Sequence, residues 1–224
     1  TSKVKAPEIL VNPTVEPVKE VEVGIVYPNS LVNKYYKIVK EDGTDTGWLE
    51  YTGSFKVNEN NVVIYARGET ISNNESVVCS RNITNIDLIA PEINISGDFI
   101  SPKRQVTVSV NAKDNMMMYM VKWASGEQSI EYFRENGKSI RNPGTFKVEE
   151  NGKYTIYAVD QVGNESIKVI EITNIDLTAP NIIINVLTEK YGPEAEVSID
   201  YGDSKIKEYR IGEISTTYDI YTEN

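Results

Sequence analysis

The 224 residues contain 33 acids, one cysteine and no histidine, so few chemistries are open to the chain. Without histidine there is no Ser-His-Asp or Cys-His nucleophile, and the commonest zinc ligand is missing. The one thiol, Cys79, can form no internal disulfide, and Val77 and Val78 beside it place it in a strand as a buried, inert group. What remains is carboxylate chemistry. A carboxylate pair in a cleft could hydrolyse a glycoside. No such pair is marked out here, and acids on short strands are ordinarily solvated faces, so no enzyme is expected. Three acids stand where loops could bring them together: Asp87, Asp114 and Asp160. Three carboxylates with backbone carbonyls suit Ca²⁺, a hard ion that takes about six to eight oxygens. The alternative is that Asp87 and Asp160 only cap turns through their own backbones, and then no cofactor is expected.

Charge and hydropathy narrow the partners. A net charge of −10 disfavours nucleic acid and anionic lipid, which both need basic patches. Hydrophobic residues make up 40% of the chain, and no apolar run approaches the ~20 residues of a bilayer helix, so no membrane insertion is expected. No signal peptide, lipidation motif or sorting signal is visible, which places any address outside these residues.

The elements that must carry the three acids are strands. Val106, Val108, Val110 and Ala112 alternate with Thr107, Ser109 and Asn111, and Val21, Val23, Ile25 and Tyr27 alternate with Glu20, Glu22 and Gly24. A period of two puts one face on a core and the other in water. No window shows a 3.6-residue stripe, so the chain reads as all-β. Above the strands lies a longer period. Residues 84–91 read Thr-Asn-Ile-Asp-Leu-Ile-Ala-Pro and residues 173–180 read Thr-Asn-Ile-Asp-Leu-Thr-Ala-Pro, with Pro91 and Pro180 spaced by 89 residues. A related start, Lys5-Ala6-Pro7, lies 84 residues before Pro91. Periods of this size mean whole domains in tandem.

The spacing predicts an Ig-like domain over 1–88, a second over 89–177, and the N-terminal half of a third over 178–224, truncated or completed by a partner. Strands are expected near 8–12, 18–27, 34–40, 48–51, 53–57, 61–67 and 75–85. In the second unit they are expected near 92–96, 105–112, 118–124, 129–134, 145–148, 153–159 and 166–174. The last segment should hold four, near 181–187, 195–201, 206–211 and 216–221. About seven short strands per unit point to Greek-key β-sandwiches. In such a sandwich the loops after strands two and six face the preceding domain, which would bring Asp114 and Asp160 to Asp87. The turn Asp160-Gln161-Val162-Gly163-Asn164 has a longer, degenerate counterpart at 68–74, expected to be the more mobile.

Ala-Pro at the unit start, Trp48-x-x-Tyr51-x-Gly53-x-Phe55, then Tyr157-Ala158-x-Asp160-x-x-Gly163-Asn164-Glu165-Ser166 and Asn174-Ile175-Asp176 together resemble bacterial immunoglobulin-like repeats. Such repeats are common in secreted and surface-anchored proteins of Gram-positive bacteria. The second unit departs from the pattern at Ser129-Ile130-Glu131-Tyr132-Phe133, which lacks the Trp. The resemblance implies a non-catalytic stalk or adhesion segment at the bacterial cell surface or outside the cell, presenting a functional domain. The alternative it leaves is a module that binds a glycan or a host surface protein, accessory to a secreted enzyme.

Three further expectations concern contacts. Trp48 and Tyr51, with Tyr35 and Tyr36, form either a sugar-stacking platform or cover for the core and sheet edge. Met116, Met117, Met118 and Met120 are the four methionines of the chain. Met118 or Met120 should enter the core, while the others, drawn from Met116, Met117 and Met118, pad the junction with the first unit. In the last segment Ile182, Ile184, Val197, Ile199 and Ile211 would lack an opposite sheet, which favours self-association through the incomplete domain.

Overall fold

A computed structural model describes residues 4–187, 197–209 and, for the backbone, 219–220. The first repeat has seven strands: β1 (Glu8–Asn12), β2 (Val21–Val26), β3 (Asn33–Val39), β4 (Leu49–Glu50), β5 (Phe55–Val57), β6 (Val62–Glu69) and β7 (Cys79–Ile83). They form two antiparallel sheets, ordered β1-β2-β5 and β4-β3-β6-β7. The chain leaves the first sheet after β2, returns for β5 and leaves again, which is a Greek-key sandwich.

The second repeat copies this plan with β8 (Glu92–Ser96), β9 (Val106–Lys113), β10 (Met118–Ser125), β11 (Lys138–Ile140), β12 (Gly144–Val148), β13 (Gly152–Asp160) and β14 (Glu165–Ile172). Its sheets run β12-β9-β8 and β11-β10-β13-β14. The fold class is thus an all-β tandem of Ig-like sandwiches. Each repeat fills its own core from the alternating positions. Val21, Val23, Val57, Ile64 and Ile83 form one, and Val106, Val108, Val110, Ile156 and Ile172 belong to the other. Each such side chain taken fully from water contributes roughly 1.5–3 kcal/mol. One aromatic pair recurs at the same place: Tyr36 stacks on Phe55 at 4.4 Å, and Trp123 stacks on Phe146 at 4.2 Å.

Two expectations are corrected. The segment 129–134 is not a strand. It is a short helix, α1 (Ile130–Glu135), and the fourth strand of the repeat comes after it as β11. Ser129 caps α1 by accepting a hydrogen bond from Tyr132 N, and Lys122 Nζ closes its other end on the carbonyls of Phe133 (2.7 Å) and Asn136 (3.1 Å). Ile130 and Phe133 lie one turn apart, and Phe133 is fully buried against Tyr157, with ring centroids 5.2 Å apart. Six residues are too few to display a helical period, and the β-branched and aromatic content of 130–133 reads as a strand. The turn at 68–74 is likewise no longer than its counterpart. Thr70 N donates to Asn74 O and Asn74 N to Thr70 Oγ1, matching the bonds from Asp160 N to Asn164 O and from Asn164 N to Asp160 Oδ1. It is the same turn with threonine where the second repeat has aspartate.

Residue contacts divide the chain into two compact units, one of residues 1–101 with 105–175 and one of 102–104 with 176–224. In the second unit β15 (Ile183–Val186) pairs with β16 (Val197–Asp200), and β17 (Glu208–Tyr209) with β18 (Asp219–Ile220). Ile182, Ile184 and Val197 are exposed at 51%, 64% and 47%, Ile199 is half-buried, and Tyr201 is buried. Ile211 and residues 188–196 and 210–218 lie outside the described residues.

Glu165, at the start of β14, accepts hydrogen bonds from Arg134 of α1 and from the Tyr157 hydroxyl. The Arg134 bond holds the Glu165 carboxyl below its ordinary range, and burial pushes the Tyr157 hydroxyl up. A lowered folded-state value means that the pair stabilises above the unfolded carboxyl pKa and fades as pH falls through the folded one. Glu165→Gln should therefore unfold at a lower denaturant concentration than the parent at pH 7, by a small margin because the pair is partly exposed, and the difference should shrink as pH falls through the folded-state carboxyl value. Phe133→Ala should cost about 3–5 kcal/mol in urea unfolding, because a fully buried ring leaves a cavity under α1.

Candidate metal centre at the seam between repeats

The octamer that joins the repeats is stitched to the first repeat before it reaches the second. Asn85 Nδ2 donates to the carbonyls of Pro13 and Glu16 at 3.2 and 2.9 Å. Ile86 is buried under the core, and its N–H donates to Asn60 Oδ1 at 3.1 Å. Val18 brackets the segment, donating to Asn85 O and accepting from Asp87 N, both at 2.9 Å. The second copy of the octamer repeats the device. Asn174 Nδ2 donates to the carbonyls of Asp98 and Ser101, and Ile175 N to Asn151 Oδ1. The Thr-Asn-Ile-Asp sequence is thus a staple, a plug and the first residue of the link.

The second repeat grips the emerging link from the other side. Asn164 Nδ2 donates to the carbonyls of Asp87 and Ile89, each at 3.2 Å. Ser166 Oγ donates to Pro91 O at 2.7 Å and Lys168 Nζ to Ile93 O at 3.0 Å. Lys19 of the first repeat reaches back to Gly163 O at 3.3 Å.

Asp87, Asp114 and Asp160 meet at this grip, where one carboxylate oxygen of each lies within 4.8 Å of the others. The link positions Asp87, the loop after β9 positions Asp114, and the turn after β13 positions Asp160. Each acid caps its own turn with one oxygen, accepting from Ile89 N, Met116 N and Val162 N at 3.2, 2.8 and 2.9 Å. The turn-capping alternative therefore accounts for one oxygen per residue. Of the second oxygens, Asp160 Oδ2 accepts from Asn164 Nδ2 at 2.7 Å, whereas Asp87 Oδ2 and Asp114 Oδ1 are buried with no hydrogen-bond partner. Asp87 and Asp160 are each only 1% exposed. Among the described residues, no lysine or arginine forms an ion pair with any of the three. Two unit charges about 4–5 Å apart repel by roughly 3–4 kcal/mol at an effective dielectric constant near 20. A cation would relieve that repulsion and give the two orphan oxygens a partner.

The other candidate residues are placed as follows. Trp48 is 36% exposed, and the cations of Arg67 and Lys37 lie 4.9 and 5.5 Å from its ring centroid. Tyr51 turns the other way. Its hydroxyl accepts from Ile25 N at 3.0 Å, and its ring meets Tyr27 and Tyr36 between the sheets. Three residues apart on an extended chain, the two rings fall on opposite faces of the sheet. Met118 packs on the main core of the second repeat and Met120 on the cluster around Phe133. Met116 is half-buried beside Asp114, and Met117 is 53% exposed with its carbonyl accepting from Gln161 N. Cys79 is half-buried, and burial pushes its thiol pKa up. Sequence reasoning missed Asn164 and Ser166 as clamps on the link, although Asn164-Glu165-Ser166 does recur as Asn74-Glu75-Ser76.

No protein-family model matches the chain, and no curated protein sequence does. Three solved structures are similar to it. The fibronectin(III)-like modules of Clostridium thermocellum CbhA are 9% identical, with 75% of this chain and 95% of that chain covered and a TM-score of 0.31. A two-domain fibronectin type-III segment of chicken tenascin is 13% identical, with 73% and 97% covered and a TM-score of 0.33. A 1.5-MDa bacterial ice-binding adhesin is 11% identical, with 84% and 71% covered and a TM-score of 0.42.

Asn164→Ala removes both amide bonds to the link and leaves the carbonyls of Asp87 and Ile89 without that donor. It should lower stability by about 1–3 kcal/mol in denaturant titration and speed proteolysis between residues 87 and 91.

Proposed function

We propose that the chain is a non-catalytic spacing and adhesion segment of a bacterial cell-surface or secreted protein, a run of Ig-like sandwiches that holds a functional domain at a distance. The observation that carries this reading is the seam. Residues from both repeats hold the short link through hydrogen bonds at Asn85, Asp87, Ile89 and Pro91. A free hinge would leave those backbone groups to water; here side chains hold them, which suits a part whose task is reach with limited bending. Reach follows from the strands: β13 alone, at nine residues, spans roughly 30 Å at ~3.4 Å per residue. The in-register return of the octamer supports a modular array in which one seam serves as the pattern for the next.

Small-angle scattering of the chain tests the proposal. A compact globule of this length would have a radius of gyration of ~17 Å, whereas a spacing array should give about 25 Å or more, with a long tail in the pair-distance distribution. A compact envelope would overturn the stalk reading.

A further inference from the structure

We propose that Asp87, Asp114 and Asp160 hold one Ca²⁺ ion that braces the seam between the first two repeats. The inference does not depend on the spacing role, because it concerns whether an ion binds the folded chain, whatever the array is for.

The argument rests on the two orphan oxygens and on a comparison internal to the chain. Asp87 Oδ2 and Asp114 Oδ1 are sealed from water without a donor, in carboxylates that converge within 4.8 Å. Buried carboxylate oxygens without a donor are rare in folded proteins, and a cation is one of their few partners. The first repeat shows that the fold itself does not require these acids. Val21 pairs with Val57 as Val106 pairs with Val148, so the two sheets share a register. Counting along β2 and β9 in that register places Asn29 at the position of Asp114. Thr70 occupies the position of Asp160 and caps the same turn with its hydroxyl. The turn that Asp160 caps in the second repeat is therefore formed in the first by a neutral threonine, and the position counted to Asp114 holds a neutral asparagine. What the aspartates add is negative charge at the grip on the link.

The donor set selects the ion. All three side chains offer oxygen, there is no histidine in the chain, and the only cysteine lies in β7, so a hard cation is expected. Three carboxylates on three different loops form an adaptable cage, which suits Ca²⁺ better than Mg²⁺, an ion that demands near-ideal octahedral geometry and keeps its water. Neighbouring carbonyls and water would complete the shell. The spacing of two of the acids recurs further along the sequence. Asp176 and Asp203 stand 89 residues beyond Asp87 and Asp114, and Asp176 Oδ1 caps its turn on Thr178 N at 2.8 Å. Among the described residues Asp87, Asp114 and Asp160 are the one group of three acids that converges in this way, so the proposal assigns one ion per chain.

The test uses the whole chain, stripped with EGTA. Calorimetric titration with CaCl₂ should give one site per chain, and about 10 mM Ca²⁺ should raise the melting midpoint by about 5 °C over the EGTA sample. Asp114→Asn, at a half-buried loop position, should no longer respond to Ca²⁺ and, with one repelling charge removed, should melt no lower than the EGTA-treated parent. Asp203→Asn should keep the full response. If Asp114→Asn does not fold, Asp160→Asn takes its place, and the parent's stoichiometry is decisive by itself. Identical parent melts in Ca²⁺ and EGTA with no heat of binding would overturn the site. An equal response to Mg²⁺ would overturn the assignment of the ion. A Ca²⁺ response retained in Asp114→Asn and lost in Asp203→Asn would move the ion away from this seam.

Discussion

Between two sandwiches the chain leaves its sheets with a single backbone bridge, Val18 to Ile86, and the rest of its backbone groups still have to be satisfied. That constraint organises the molecule. Side-chain amides meet it. Asn85 and Asn60 hold the outgoing end of the link to the first repeat, and Asn164 holds its carbonyls to the second. Each is a short side chain with a fixed donor–acceptor geometry that can stand in for a missing strand. The buried Ile86 keeps the first of these staples in register, since moving it would expose a core residue.

Electrostatics enters at the same place. Three aspartates at one junction would strain any protein left to itself, because each capped turn uses one oxygen and crowds the other towards its neighbours. The first repeat builds the same turn with Thr70 and carries no such cost, so the two repeats separate a structural requirement from an added one. The outer face of the first repeat shows the opposite arrangement. There Arg67 lies over Tyr35 and Trp48, and Lys37 lies over Trp48 and Tyr65, so cations and rings alternate and satisfy one another.

Divergence between the repeats is confined to places where packing allows it. Insertion of α1 before β11 leaves the sheet order unchanged, because the helix settles on the outside of β10 and β13 through Phe133 and Tyr157. The stacked pair between the sheets exchanges Tyr36 for Trp123 and keeps its phenylalanine partner. Both changes keep two aromatic surfaces in contact, which is what burial rewards.

Alternation along β2, β6, β9 and β13 was legible in the sequence because a strand has one wet and one dry face, and its period of two survives any detail of packing. The recurrence of Thr-Asn-Ile-Asp fixed the two repeats and their order for the same kind of reason: a staple that solves a local hydrogen-bonding problem must keep its residues in sequence. The convergence of Asp87, Asp114 and Asp160 could be anticipated once a sandwich was assumed, since topology places those loops at one end. Tertiary structure alone decided the rest. Residues 130–135 became a helix because Phe133 had a site under which to bury, and six residues carry too little periodicity to announce it. Which ring met cations and which met rings was decided by the packed sheets: Trp48 lies under Arg67 and Lys37, and Tyr51 meets Tyr27 and Tyr36. Which carboxylate oxygens are left without partners depends on atoms brought together from 27 to 73 residues away in sequence, and no local pattern encodes that.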